Sequence, residues 1–349
     1  MQHARPFTRR SLLGAAAVAA ASALALTGCV AGEGSSGQAA AAGSTAGGTL
    51  NIDFATYNPL SLVIKDQGWL EASLKDQGVT VNWIQSAGSN KANEALRSGA
   101  IDVGSTAGSA ALLARSNGSP IRTISIYSQP EWAALVAPAG SGITSVADLK
   151  GKSVAATKGT DPYFFLLQAL EEAGLKPGDV TVQNLQHADG RTALENGSVQ
   201  AWSGLDPIMA GAEQKGATLF YRNLDFNTYG FLNATESFLK DKPELAQAVV
   251  NAYEKARAWA AANPDETAQI LADVAGLDLA VAKTVVLERS NLDVDAAPGE
   301  AQRRVLEKIG PTFVETGDVK TQQQIDDAVA SLLDDSLVKK ADPSAIKGS

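Results

Sequence analysis

Four short turns rich in serine, threonine, aspartate and glycine stand directly before stretches of helical pattern. They are Ser86-Ala87-Gly88-Ser89-Asn90, Ser105-Thr106-Ala107-Gly108-Ser109, Lys158-Gly159-Thr160-Asp161-Pro162 and His187-Ala188-Asp189-Gly190-Arg191. A helix start leaves backbone N–H groups unpartnered and carries the positive end of the helix dipole, so it attracts anions. Small side chains let a ligand approach the backbone, and hydroxyls add donors. The same residue types are the preferred helix N-caps, so any single turn reads first as a cap. Four of them in equivalent places favour a shared anion site. The candidate contacts are Ser86, Gly88, Ser89, Asn90, Thr106, Ala107, Gly108 and Thr160.

Charged and aromatic side chains complete the candidate set. Asp161, followed by Pro162, either caps its helix or meets an ammonium group. Asp206 before Pro207 repeats that pattern. Arg191 at a helix start opposes the dipole, so it is either a solvated surface group or a bidentate clamp for an anion. Tyr57 and Trp132, like Tyr127 and Trp202, lie near strand ends, where each either packs in the core or hinge or walls the cleft. Catalytic constellations are absent from the sequence. His187 is the only histidine beyond His3, and Cys29 is the only cysteine. His/Cys metal sites and cysteine nucleophiles are therefore not expected. Neither a phosphate-binding loop nor a dinucleotide glycine fingerprint is present. We expect no cofactor, no metal and no enzymatic turnover.

These turns need strands and helices to hold them. Ten strands are predicted: Leu50–Phe54, Val79–Ile84, Val103–Ser105, Ile121–Tyr127, Ala133–Ala137, Ser153–Ala156, Val180–Leu185, Ala201–Ser203, Thr218–Tyr221 and Tyr229–Asn233. Helical patterns lie between most of them, which predicts an α/β fold with parallel-rich sheets flanked by helices. The segment from Val79 to Ser105 and that from Val180 to Ser203 share one order: strand, small polar turn, short helix closed by glycine, strand. Two lobes of similar architecture follow, with the ligand in the cleft at the carboxyl ends of strands. The expected division is 49–132 with 234–349 as the first lobe and 138–228 as the second. Strands 133–137 and 229–233 are expected to form the hinge. From Thr235 onward the pattern is helical. Ala246, Val249, Val250, Tyr253, Ala256 and Trp259 recur at helical spacing as a core-facing stripe.

The N-terminal region reads as an export signal. Arg5, Arg9 and Arg10 precede an apolar run from Leu12 to Leu26, and Leu26-Thr27-Gly28-Cys29 follows. That run is too short for a spanning helix. Cleavage after residue 28 would make Cys29 the new, lipid-modified terminus, as in bacterial lipoproteins. The pair Arg9-Arg10 leaves general secretion and the twin-arginine route both open. Residues 30–48, rich in Gly, Ala and Ser, cannot repay the entropy of ordering and read as a tether spanning roughly 25 Å. Loss of residues 1–28 removes three arginines and no acids, shifting the net charge from −9 to −12. Such an acidic chain is not expected to bind nucleic acid or to dock electrostatically on anionic lipid. The expected location is the outer face of the cell membrane, held by the lipid, as a monomer.

From Gly48 to Gly216 the chain resembles the solute-binding components of ABC importers for aliphatic sulfonates, taurine and nitrate. The resemblance rests on Gly68-Trp69-Leu70-Glu71, Ala95-Leu96-Arg97-Ser98-Gly99-Ala100-Ile101-Asp102-Val103-Gly104, Ser145-Val146-Ala147-Asp148-Leu149-Lys150-Gly151-Lys152, Leu170-Glu171-Glu172-Ala173-Gly174-Leu175, and Ala201-Trp202 with Asp206-Pro207. It implies the two-lobed type II periplasmic-binding fold. It also implies a function: capture of a small organic anion, first of all an aliphatic sulfonate, and delivery to an ABC permease. Taurine, nitrate or another small solute, a ligand sensor, or an enzyme on the same fold are the alternatives. Leu205 stands where relatives often carry Trp, and Thr160-Asp161-Pro162-Tyr163 departs from the usual Gly-Ser-Asn-x-His; both changes fall at the expected pocket.

Overall fold

The computed structural model describes residues 47–348. The export signal, Cys29 and all but the last two residues of the tether lie outside the described residues. Ten strands are present: β1 (Gly48–Phe54), β2 (Val79–Gln85), β3 (Val103–Ala107), β4 (Ile121–Ser128), β5 (Ala133–Ala137), β6 (Ser153–Ala156), β7 (Thr181–Asn184), β8 (Ala201–Leu205), β9 (Thr218–Tyr221) and β10 (Gly230–Thr235). The helices between and after them are α1 (Pro59–Gln67), α2 (Trp69–Leu74), α3 (Ser89–Ser98), α4 (Gly108–Ser116), α5 (Asp161–Glu172), α6 (His187–Glu195), α7 (Ile208–Gln214), α8 (Glu236–Asp241), α9 (Pro243–Ala262), α10 (Pro264–Ala275), α11 (Leu279–Lys283), α12 (Glu300–Glu315) and α13 (Gln322–Leu332). A wider π-type segment, Thr284–Arg289, continues α11. Among the described residues no helix is long and apolar enough to cross a membrane.

The strands form two five-stranded sheets of one design. The first runs β2-β1-β3-β10-β4 and the second β7-β6-β8-β5-β9. In each, three neighbouring strands are parallel and the fourth is antiparallel to both its neighbours. The internal resemblance read from the sequence corresponds to β2–α3–β3 in one sheet and β7–α6–β8 in the other. Local chemistry ends these helices where expected. Gly99 closes α3 at φ +72° and returns its N–H to Ala95 and Leu96 carbonyls, a left-handed cap that only glycine adopts at no steric cost.

Both strands expected to form the hinge belong to a single sheet each. β5 pairs with β8 and β9, and β10 pairs with β3 and β4. All eleven of their residues are buried. A strand bonded on both edges and buried on both faces is fixed in its sheet and cannot serve as a pivot. The chain instead crosses between the sheets over Gln129–Trp132 and again over Arg222–Tyr229. The two crossings run side by side. Ala133 N donates to Asn227 Oδ1 (2.8 Å), and the Arg222 guanidinium pairs with Glu131 (2.6 Å). The second sheet is thus an insertion into the first, spanning 133–221.

The C-terminal helices cover the first sheet. On α9 the stripe Ala246, Val249, Val250, Tyr253 and Ala256 is fully buried, with Trp259 packed edge-on against the buried Trp69 (6.3 Å between rings). Phe313 of α12 reaches Phe164 of α5 (4.4 Å), so the helices of both sheets meet in one continuous core. Burial of such aromatic surface is the main stabilising term.

Candidate functional site

The carboxyl ends of β1, β3 and β4 face those of β6, β7 and β8 across a seam, and most of the candidate residues fall there. A narrow cleft in this seam is lined by Tyr57, Ser128, Pro130, Trp132, Asp206, Val285, Arg289 and Ser290. Its interior is about 10 Å³, room for about one water, so a ligand of several heavy atoms enters only if the seam opens. Tyr57 and Trp132 meet edge to face at 6.0 Å and 86° and form its apolar wall. Tyr57 OH donates to Ser105 O (2.9 Å), which fixes the ring.

Arg289 is the cation of this cleft, and the sequence reading did not select it. Its side chain is only 6 % exposed. Nη1 donates to Asp206 Oδ2 (3.3 Å) and Nη2 to Glu213 Oε2 (2.6 Å), while its carbonyl accepts from Glu131 N (2.8 Å) in the first crossing. Its Nε–H and the second hydrogens on both terminal nitrogens make no further bond among the described residues. A signal did exist: Val281, Val285 and Arg289 recur at i, i+4, placing an arginine on an apolar helix face. Asp206 caps α7 by accepting from Ala210 N (2.9 Å) and lines the cleft as well. Burial pushes its carboxyl up to about 6, against the pull of Arg289.

Asp161 neither caps its helix nor opens to the cleft. The N-cap of α5 is Thr160, whose hydroxyl donates to Thr157 O (2.6 Å). Asp161 accepts four hydrogen bonds from outside its helix: from Ser109 Oγ, from Trp132 Nε1 (2.8 Å), and from Thr228 N (2.8 Å) and Oγ1 (2.7 Å). It therefore ties the second sheet's first helix to α4 and to both crossings. Burial raises its pKa, opposed by those same donors.

The turn before α4 is occupied too. Gly108 N donates to Tyr229 O (3.0 Å) and Ser109 N to Thr228 Oγ1 (3.1 Å). Thr106 Oγ1 accepts from Asn233 Nδ2 (2.8 Å), and Ala107 N donates to Ser89 Oγ (2.9 Å). The returning chain, 228–233, takes up the donors that were candidates for an anion. Ser86 is buried beside Asp53 and Tyr57. Arg191 is no clamp: Nε donates to Glu195 (2.7 Å) on its own helix, and Nη2 to Gly211 O (3.3 Å). That i, i+4 pair offsets its unfavourable place at a helix start.

Gly88 and Asn90 lie against the start of α6 in the second sheet. Asn90 Nδ2 donates to Gln186 Oε1 (3.4 Å) across the seam. A Cβ at Gly88 would stand 2.9 Å from Asn90 Oδ1 and 3.0 Å from His187 Nε2. Thr157 Oγ1 spends its proton on Leu185 O (2.6 Å), so it accepts from His187 Nδ1 (3.2 Å). That leaves Nε2 without a proton, buried against Gly88 and unpartnered. Burial pushes this imidazole down to about 4. The backbone at Gly88 is extended, so its requirement is space alone. Gly88→Ala is expected to disfavour the closed seam by about 1–3 kcal/mol. Solution scattering would read this as a larger radius of gyration; an unchanged radius would mean that the neighbours yield instead.

Comparison with known proteins now bears on this site. A profile described as NMT1/THI5 like matches residues 61–267. The chain belongs to the NMT1/THI5-like family. Within that family it is similar to a Bacillus subtilis (strain 168) protein named for binding aliphatic sulfonates, with 27 % identity over 82 % of this chain and 85 % of that one. The fold matches the crystal structure of the periplasmic aliphatic sulphonate binding protein SsuA from Escherichia coli: 26 % identity, TM-score 0.68, covering 80 % of this chain and 90 % of that one. It also matches the alkanesulfonate-binding protein SsuA from Xanthomonas axonopodis pv. citri bound to MOPS: 24 % identity, TM-score 0.72, covering 80 % and 97 %. The two sheets of this NMT1/THI5-like protein, parallel-rich and flanked by helices, are the type II periplasmic-binding fold.

Proposed function

We propose that this protein captures a small organic sulfonate outside the cytoplasmic membrane and delivers it to the permease of an ABC importer. The observation that carries this reading is the guanidinium of Arg289, buried in a small cleft between two sheets and faced by Tyr57 and Trp132. Its uncommitted N–H groups suit a sulfonate, which stays ionised at physiological pH and offers three acceptor oxygens. The aromatic wall suits a short carbon chain. A micromolar affinity needs only about −8 kcal/mol, within reach of a few charge-assisted bonds less the ordering cost. Relatives named for sulfonate binding support the same assignment.

Calorimetry with short aminosulfonates and alkanesulfonates tests this. Arg289→Ala is expected to weaken binding by about 100-fold, because charge-assisted bonds are lost together. An equal affinity in Arg289→Ala would remove the cleft from consideration. The anchor belongs to the same proposal: Cys29→Ser should release the protein from the membrane fraction, and retention there would contradict lipid attachment.

A further inference from the structure

His187 opens α6 of the second sheet, and the Nε2–Cδ2 edge of its ring faces Gly88, the residue before α3 of the first. The ring is 1 % exposed. Its Nδ1 proton goes to Thr157 Oγ1, so Nε2 is a bare lone pair. Two buried acceptors thus flank Gly88 without a donor: His187 Nε2 and Asn90 Oδ1. Closing the seam takes both out of water and pairs neither. That contact is tolerable for a neutral ring, whereas a proton on Nε2 would bury an unpaired charge.

No neighbouring charge offsets such a proton. On α3, Lys91 and Glu94 pair with each other at the surface (2.9 Å), and Arg97 is exposed in the last turn. After β6, the Lys158 ammonium lies over the Tyr163 ring (5.6 Å). On α6 itself, Asp189 is exposed and Arg191 is held by Glu195 (2.7 Å). Strands β6 and β8 beneath the helix carry no ionisable side chain, and Glu213 of α7 pairs with Arg289. Burial is the sole cause that moves this imidazole. The seam carboxyls act in the opposite sense. Burial raises Asp161 and Asp206, so acid acting on them alone would tighten the seam.

We propose that His187 is a proton-sensitive catch on the seam: with Nε2 bare the two sheets close, and with Nε2 protonated they are driven apart. It keeps acid from locking the sheets together through Asp161 and Asp206. The inference goes beyond the sulfonate reading and holds for whichever solute the seam encloses. The sign follows from linkage. Closed, the ring titrates near about 4; opened to water, it returns to the ordinary 6.5. Its share of the closing equilibrium therefore falls about 30-fold between about pH 7.5 and about pH 5.

Hydrogen exchange of the Thr228 amide tests this, because that N–H is buried and donates to Asp161 of the second sheet. Wild type is compared with His187→Asn at each pH, so the intrinsic exchange rate cancels. Asn keeps a donor for Thr157 and cannot take up a proton. The two proteins should exchange alike at about pH 7.5. At about pH 5 wild type should exchange about 30-fold faster. The Leu232 amide, in the middle of β10, reports global unfolding and should exchange more slowly than Thr228 throughout. Equal rates at both pH values would overturn the proposal. So would a difference in which Thr228 and Leu232 exchange together, since the proton would then act on unfolding and not on the seam. If His187→Asn folds poorly, His187→Gln takes its place. Nuclear magnetic resonance of the wild-type ring gives a second check: a titration midpoint at or above 6.5 would also overturn the proposal.

Discussion

Asp161→Ala is expected to cost about 3–5 kcal/mol of stability and to lower the melting temperature by about 10 °C. The substitution strands four donors at once: two hydroxyls, an indole N–H and a backbone N–H. All lie in a buried seam that water does not replace, and each unpaired donor costs about 1–3 kcal/mol, less when they relax together. The cost is partly offset, because burying the carboxylate was itself unfavourable. Ligand affinity should fall as well, since the same bonds hold α5 against both crossings. Thermal unfolding and calorimetry on the one variant report the two effects. A loss below about 1 kcal/mol would show that the network is not the tie described here.

Much of this architecture was readable before any coordinates, and the reason is periodicity. Short apolar runs punctuated by glycine located all ten strands, and the shared order of Val79–Ser105 and Val180–Ser203 announced two sheets of one design. What failed was information that depends on long-range pairing. Nothing local in Ala133–Ala137 or Tyr229–Asn233 says which sheet receives the strand, so the crossing between sheets was assigned one step too far along the chain. The site failed in a similar way. Thr106, Ala107 and Gly108 carry the composition of an anion cradle, yet their partners arrive with Thr228, Tyr229 and Asn233, more than a hundred residues later. Arg191 drew notice for its place at a helix start, while Arg289, hidden in an apolar stripe, proved to be the cation in the cleft. Tyr57, Trp132 and Asp206, which were also among the sequence candidates, line that cleft.

Acid is expected to act on stability with opposing signs through buried groups, among them Asp53, Asp206 and His187. Asp53 accepts from Ser105 N and Oγ, yet burial pushes its carboxyl up to about 6, and Asp206 is raised to about the same value. In the unfolded chain both titrate near 3.8. The folded state therefore takes up these protons first, and stability rises as pH falls through 6, reaching its full extent below the unfolded value. His187 works the other way. Its folded value of about 4 lies below the ordinary 6.5, so its contribution is complete above 6.5 and is lost as pH falls towards 4. Between about pH 7 and about pH 5, each carboxyl should add about 1 kcal/mol and the imidazole remove about 2 kcal/mol. These three contributions should nearly cancel over that range, leaving the raised Asp161 to add stability on acidification. His187→Asn should gain about 2–3 kcal/mol on acidification, and Asp53→Asn should lose the contribution of one carboxyl. Denaturant unfolding at the two pH values separates these outcomes. Parallel curves for wild type and His187→Asn would show that His187 does not titrate with folding.

The antiparallel strand in the first sheet has a consequence for how the molecule is made. β10 lies between β3 and β4, and every bond it forms there joins residues about a hundred or more positions apart. A chain emerging from the ribosome presents β1 to β4 first, with a slot between β3 and β4 that nothing yet synthesised can fill. The five strands of the inserted sheet are all in hand by Tyr221. The later lobe in sequence is thus the earlier one to complete its sheet, and the N-terminal lobe waits for it with two exposed strand edges, the kind of surface on which chaperones act. Order along the gene and order of assembly run in opposite directions for the two halves of this protein.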